Sequence, residues 1–170
     1  ERDHRLGQHW RMADLGLNIK RYPVCYSTHR AIDAMLAIVE AHDLKPADVR
    51  EIRVGAGVPE LLMLRNHDPK TGLEAKFSME FAMASALVAR RVGIAELSDG
   101  FVRRPEVIEA MGKVACTAIH DGIAGMPDSP PDTDEVELVS GTVLHHDPVQ
   151  FARGSWQNPL GREGLRATFM

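Results

Sequence analysis

The sequence predicts an α+β fold: a mixed sheet with a hairpin and helices packed on one face. Three observations predict it. Ile32, Met35, Leu36 and Val39 recur at helical spacing; Met79 to Val88 is apolar nearly all round; and Ile52, Val54 and Ala56, like Val136 and Leu138, alternate with polar or small residues. The tally is three or four strands and three or four helices in mixed order.

Taken in order, Leu15 to Lys20 reads as a short strand leading into Tyr22-Pro23, where the proline restricts Tyr22 to extended backbone. Ser27 and Thr28 are good caps for a helix from about Thr28 to Ala41. Lys45-Pro46 breaks the chain, and Glu51 to Ala56 alternates as a strand. Residues 66 to 76 read as a loop. Ser78 caps the next helix, with Glu80 at its positive end. A helix without a polar face is a buried one, and its alanines allow close approach of other backbones.

A further helix follows Arg104-Pro105, carrying Val107, Ile108 and Met111, and Val114 to Ile119 reads as a strand. The Pro/Asp-rich stretch Met126 to Asp134 is expected to be a loop. Ser140-Gly141 is a hairpin turn signal between Glu135–Leu138 and Thr142–His145. Asn158-Pro159 starts a last helix carrying Leu160, Leu165 and Phe169. The chain opens at Glu1 without Met and closes inside that helix, so it is expected to be part of a longer polypeptide.

Composition bounds the function. The 170 residues suffice for one domain with a real core, and 44% apolar with 26% charged content is ordinary for a globular chain. A net charge of −4, with no basic stripe, argues against a nucleic-acid partner. No apolar run reaches the roughly 18 residues of a membrane helix, so no membrane partner is expected. Two cysteines, Cys25 and Cys116, make neither a disulfide framework nor a zinc set, and a cytoplasmic location is the simplest expectation.

Chemistry concentrates in Lys20-Arg-Tyr-Pro-Val-Cys-Tyr-Ser-Thr-His29, which places an ammonium, a thiol and an imidazole at the mouth of a helix. Helix N-termini attract anions, so a substrate carboxylate suits this place, and His29 is able to move a proton near neutral pH. The same residues also suit structural roles: Lys20 a strand-end surface charge, Cys25 a small core residue, and His29 a first-turn residue bonded to backbone.

Four segments in order carry a resemblance: Leu6-Gly-x-x-Trp10; Lys20-x-Tyr-Pro-x-Cys-x-x-x-His29-x-Ala-Ile-Asp33; Glu74-Ala-Lys-Phe-Ser-Met-Glu-Phe-Ala-Met-Ala84; and Gly154-Ser-x-x-Asn-Pro-Leu160. From about Leu6 to Phe169 the chain resembles the C-terminal part of the MmgE/PrpD family of dehydratases, decarboxylases and epimerases. The resemblance implies an α+β lid domain over residues 1–155 and a return segment over 156–170 leading to an N-terminal helical domain of the same polypeptide. It implies a small di- or tricarboxylate substrate held between the two domains, no cofactor or metal, and a homodimer.

By motif, Lys20 and His29 inherit the catalytic claim, Lys20 binding or polarising a carboxylate and His29 shuttling a proton or orienting the loop. Lys20, Cys25 and Phe81 are the positions expected to border substrate. Many members carry a tyrosine at the place of Phe81, which can only pack, and some decarboxylases carry histidine at the place of Cys25. Cys25 disfavours decarboxylation, and a dehydratase-like reaction is the first expectation. A lid without its opposing wall is expected to show no turnover. The alternative is a non-catalytic α+β domain for dimerisation or partner binding.

Other signals are weaker. Gly55-Ala-Gly57 lacks the third glycine of a dinucleotide turn. Adjacent His145 and His146 point to opposite faces of a strand. Met79 and Met83 are core, and Cys116 is expected to be inert.

Overall fold

The computed structural model describes residues 7, 10, 12, 13, 16–120 and 129–169. A four-stranded sheet in the order β2-β1-β3-β4 is formed by β1 (Val49–Gly57), β2 (Val114–Ile119), β3 (Thr133–Leu138) and β4 (Val143–His145). The pair β1–β2 is parallel, whereas β1–β3 and β3–β4 are antiparallel, so the sheet is mixed. The hairpin turns at Ser140-Gly141 as its residues predict, Gly141 taking φ +87° where a side chain would be strained.

The alternation of β1 separates two faces. On one face Arg53 donates to Glu51 at 2.6 Å, Glu137 at 2.9 Å and Glu135 at 3.1 Å, a polar ladder turned to solvent. On the other face Ile52, Val54 and Ala56 are buried. Val54 is flanked there by Cys116 and Asp134 in register.

That inner face is covered by α1 (His29–His42), which packs on β3, and α4 (Met79–Ala89), which packs on β2. The short helices α2 (Val58–Met63), α3 (Gly72–Ala75), α5 (Asp99–Val102) and α6 (Pro105–Met111) fill the crossover between β1 and β2. Helix α4 is the core of the domain: eight of its residues, Met79, Phe81 to Ala86 and Leu87 among them, are buried. Ser78 caps it, accepting from the Phe81 amide at 3.1 Å. The alanines therefore serve internal packing, and no residue of the helix is exposed.

Several local expectations are corrected. Residues 16–20 form no strand; the Ile19 amide makes one bond to the Gly154 carbonyl at 2.7 Å, and Leu17 and Ile19 are exposed, so their alternation marks no sheet face. Thr28 is the N-cap residue of α1 but turns its hydroxyl back to the Cys25 carbonyl at 2.8 Å and leaves the helix uncapped by side chain. The 66–76 loop contains α3, nucleated by a Thr71/Glu74 capping box.

The 126–134 loop ends early, because β3 begins at Thr133; its residues 126–128 lie outside those described. The final helix, α7 (Arg162–Phe169), starts after Asn158-Pro159, which sits in a turn closed by Asn158 N to Ser155 O at 3.0 Å. Of the Leu6–Trp10 motif and the segment's Leu15, only Gly7 and Trp10 fall among the described residues.

Candidate active site

The loop from Lys20 to Thr28 descends onto the first turn of α1 through the 3-10 turn Tyr26–Thr28. It is pinned on one side by the Cys25 amide, which donates to the Lys76 carbonyl at 2.8 Å just before α4. Lys20 is exposed, yet its ammonium folds back to the Val24 carbonyl at 2.9 Å. Its charge is felt at His29, so the structure brings these two predicted residues together. Cys25 is half-buried at the same loop.

His29 is fully buried. Its ring meets the edge of Tyr22 at a centroid separation of 5.2 Å and leans on Tyr26 at 4.9 Å. Neither ring nitrogen has a well-formed hydrogen bond, although the Val24 and Tyr22 carbonyls lie near. Burial first, and the Lys20 ammonium second, push the imidazole down to about 4. At pH 7 His29 is therefore a neutral ring wedged between two tyrosines.

Phe81 lies apart from this loop's surface. It has no exposed area and packs edge-on against Phe101 at 6.3 Å.

Sequence reasoning missed the node that fastens the loop. Tyr22 Oη donates to Asp33 Oδ1 at 2.7 Å. Arg153 donates through Nε to Asp33 Oδ1 at 2.7 Å, through its amide to Oδ2 at 2.6 Å, and through Nη2 to Tyr22 Oη at 3.2 Å. Burial and the Asp33 charge hold the Tyr22 hydroxyl well above its ordinary pKa, so it is a fixed neutral donor. One signal was available: Asp33 follows His29 by four residues, one helical turn on the same face. Nothing local pointed to Arg153.

The mouth of α1 holds an anion of the protein's own. Asp132, entering β3, is fully buried and faces both the Ala31 amide and the Arg30 guanidinium, the latter at 2.7 Å. Those first-turn groups are thus engaged from inside the domain, and the exposed Lys20 ammonium is a cation within reach of an external carboxylate at this loop. Among the described residues Lys20 has no carboxylate partner, and half-buried Lys76 has neither ion pair nor side-chain hydrogen bond. Lys45, Lys70 and Lys113, by contrast, are each paired with an acid.

A mixed sheet with α1 and α4 on one face, and a loop bearing Lys20 at the start of α1, define a two-layer α+β domain. Residues 22–170 match the MmgE/PrpD C-terminal domain, and the chain belongs to that family. It is similar to cis-aconitate decarboxylase of Mus musculus, with 26% identity over 171 residues, covering 94% of this chain and 33% of that protein. The chain thus spans about a third of the length of this curated relative. No helix among the described residues is long and apolar enough to cross a membrane.

Proposed function

We propose that this chain is the lid part of a lyase or isomerase that removes a proton beside a carboxylate of a small di- or tricarboxylate, with dehydration the favoured outcome. The observation that carries this reading is Lys20. Its ammonium is held at the loop edge by one carbonyl, without a carboxylate partner among the described residues, beside the first turn of α1. An incoming carboxylate would complete that ammonium, and the charge would stabilise negative charge developing on the substrate once water is excluded.

His29 has the second of its two expected roles. A buried, neutral ring with a depressed pKa orients the loop through Tyr22 and Tyr26, and the proton is moved by a group elsewhere. Cys25 and Phe81 remain proposals as substrate neighbours of unequal standing, since Phe81 has no surface to offer. A helical domain preceding this lid, a homodimer and a cytoplasmic location belong to the same proposal. The mouse relative's name makes decarboxylation the second outcome; Cys25, where some decarboxylases carry histidine, counts against it.

The test is a screen of the full-length protein against small di- and tricarboxylates, cis-aconitate included, following double-bond absorbance and carbon dioxide release. Turnover of one such acid supports the reading, and binding without chemistry across the panel contradicts it.

A non-catalytic interaction domain is the second reading. Leu62, Met63, Leu73 and Ile94 are strongly exposed, at 70, 54, 71 and 80%. In that case substitutions at these residues would disrupt association, while Lys20→Ala would change nothing.

A further inference from the structure

Four charged side chains meet between the first turn of α1, the start of α2 and the start of β3. Asp132, just before β3, and Asp134, within it, are two residues apart in extended chain, and their carboxyls lie on one side, close enough for Asp134 to feel the Asp132 charge. They are 0 and 1% exposed. Arg30 from α1 approaches Asp132 at 2.7 Å and Glu60 of α2 at 3.7 Å. Ser129 donates to the same Glu60 oxygen, Oε1, at 2.8 Å. Two carboxyl groups thus face one guanidinium, and a third, that of Asp134, lies close enough to feel the Asp132 charge.

One guanidinium does not balance three ionised carboxylates. Neither oxygen of Asp134 has a hydrogen-bond partner, and Arg30 meets Asp132 without the alignment of a hydrogen bond. A buried, unpartnered carboxylate is among the costliest groups a core can hold, and the available remedy is a proton. The surroundings agree from every element. Across the sheet Asp134 looks toward the Cys116 thiol of β2, and that thiol in turn feels Glu80 of α4; β1 contributes only Ile52, Val54 and Ala56 to this face. Burial, with Glu60 adding to it, pushes Asp132 up to about 7 even beside Arg30. Burial and the Asp132 charge drive Asp134 well above the usual carboxylate range.

The cluster also touches the site's supports. Arg30 directly follows His29, and the Ala31 amide faces Asp132. The backbone of Asp132 pairs with Val149 at 2.9 and 3.0 Å, four residues before Arg153, which fastens Tyr22 and Asp33.

We propose that Asp132 and Asp134 retain a proton between them at neutral pH and, through Arg30 and the Val149 bridge, act as positioning residues for the first turn of α1 and its Lys20–His29 loop. Losing that proton places two like charges side by side behind Arg30 and shifts the turn that carries His29. This holds whatever reaction the site performs.

The test is an NMR titration of the side-chain carboxyl carbons of Asp132 and Asp134 with the ring nitrogens of His29 followed in parallel. At least one of the two carboxyls is expected to titrate above pH 6, and the His29 ring signals to move over that same step. Asp132→Asn should lower the Asp134 midpoint by about one pH unit or more, because it removes the charge that raises it. Two carboxyls titrating in the ordinary acidic range, an Asp134 midpoint unmoved by Asp132→Asn, or His29 signals indifferent to the step would each overturn the proposal. Should Asp132→Asn not fold, Glu60→Gln removes the carboxylate that raises Asp132 and should lower the Asp132 midpoint instead.

Discussion

The Tyr22 hydroxyl donates to Asp33 Oδ1 at 2.7 Å while Arg153 grips the same carboxylate from a segment 120 positions away in sequence. The loop bearing Lys20 is therefore held by α1 and by the distal segment at one point. Removing the carboxylate should cost more than removing the hydroxyl, because it strands both donors in a mostly buried place. We expect Asp33→Ala to lower stability by about 2–4 kcal/mol and Tyr22→Phe by about 1 kcal/mol in urea denaturation. Equal losses would show that the hydroxyl, not the carboxylate, organises the node.

Gly154 tests how the N-terminal segment is attached. It adopts φ +97°, and a Cβ there would run into the Ile19 carbonyl. Gly154→Ala should cost about 1–3 kcal/mol and speed hydrogen exchange of the Ile19 amide, which donates to the Gly154 carbonyl. Unchanged exchange at Ile19 would mean that this contact does not fasten the segment.

Phe81 separates packing from recognition. Its ring is completely buried against Phe101, so a tyrosine at that place would carry a hydroxyl with no solvent to meet it. Phe81→Tyr is expected to destabilise by about 1–3 kcal/mol without strengthening carboxylate binding. Tighter binding measured by calorimetry would put this position at the substrate after all.

Stability should depend on pH through opposed groups. His29 is held down to about 4 from an unfolded value near 6.5, so its contribution is present above that value and is lost as pH falls toward 4. Asp132 is raised to about 7 from an ordinary 3.8, so its contribution is present below 3.8 and is lost as pH rises toward 7. Asp134 is raised in the same direction as Asp132, so its contribution too is lost as pH rises. Asp132→Asn should therefore make stability fall less steeply with pH through about pH 4 to 6.5 than in the unsubstituted protein, and His29→Gln should make it fall more steeply. Identical slopes in the two variants would refute the opposition.

What was legible in the sequence follows from the range of the interactions. Helices α1 and α4, strand β2 and the Ser140-Gly141 turn are set by local periodicity and by turn residues, and all stand where those features put them. Where local rules were overruled, a tertiary partner did it. Thr28 reads as a cap, but buried Asp132 faces the first turn of α1 from another strand. Asp132 and Asp134 read as polar loop residues, yet they face the core because β3 pairs with β1 in that register. Lys20 and His29 were found by their crowding in ten residues, whereas Arg153 is recognisable only once the chain has folded back on α1.

The most direct measurement is turnover by the full-length protein on a small di- or tricarboxylate with and without Lys20→Ala. Lys20 is exposed and its side chain bonds a single carbonyl, so the variant should keep its circular dichroism and melting temperature. Activity at least a hundredfold lower on an intact fold, on the order of one lost charge contact in the transition state, is the predicted result. Undiminished turnover in a folded Lys20→Ala protein would contradict the assignment of this lysine to the substrate.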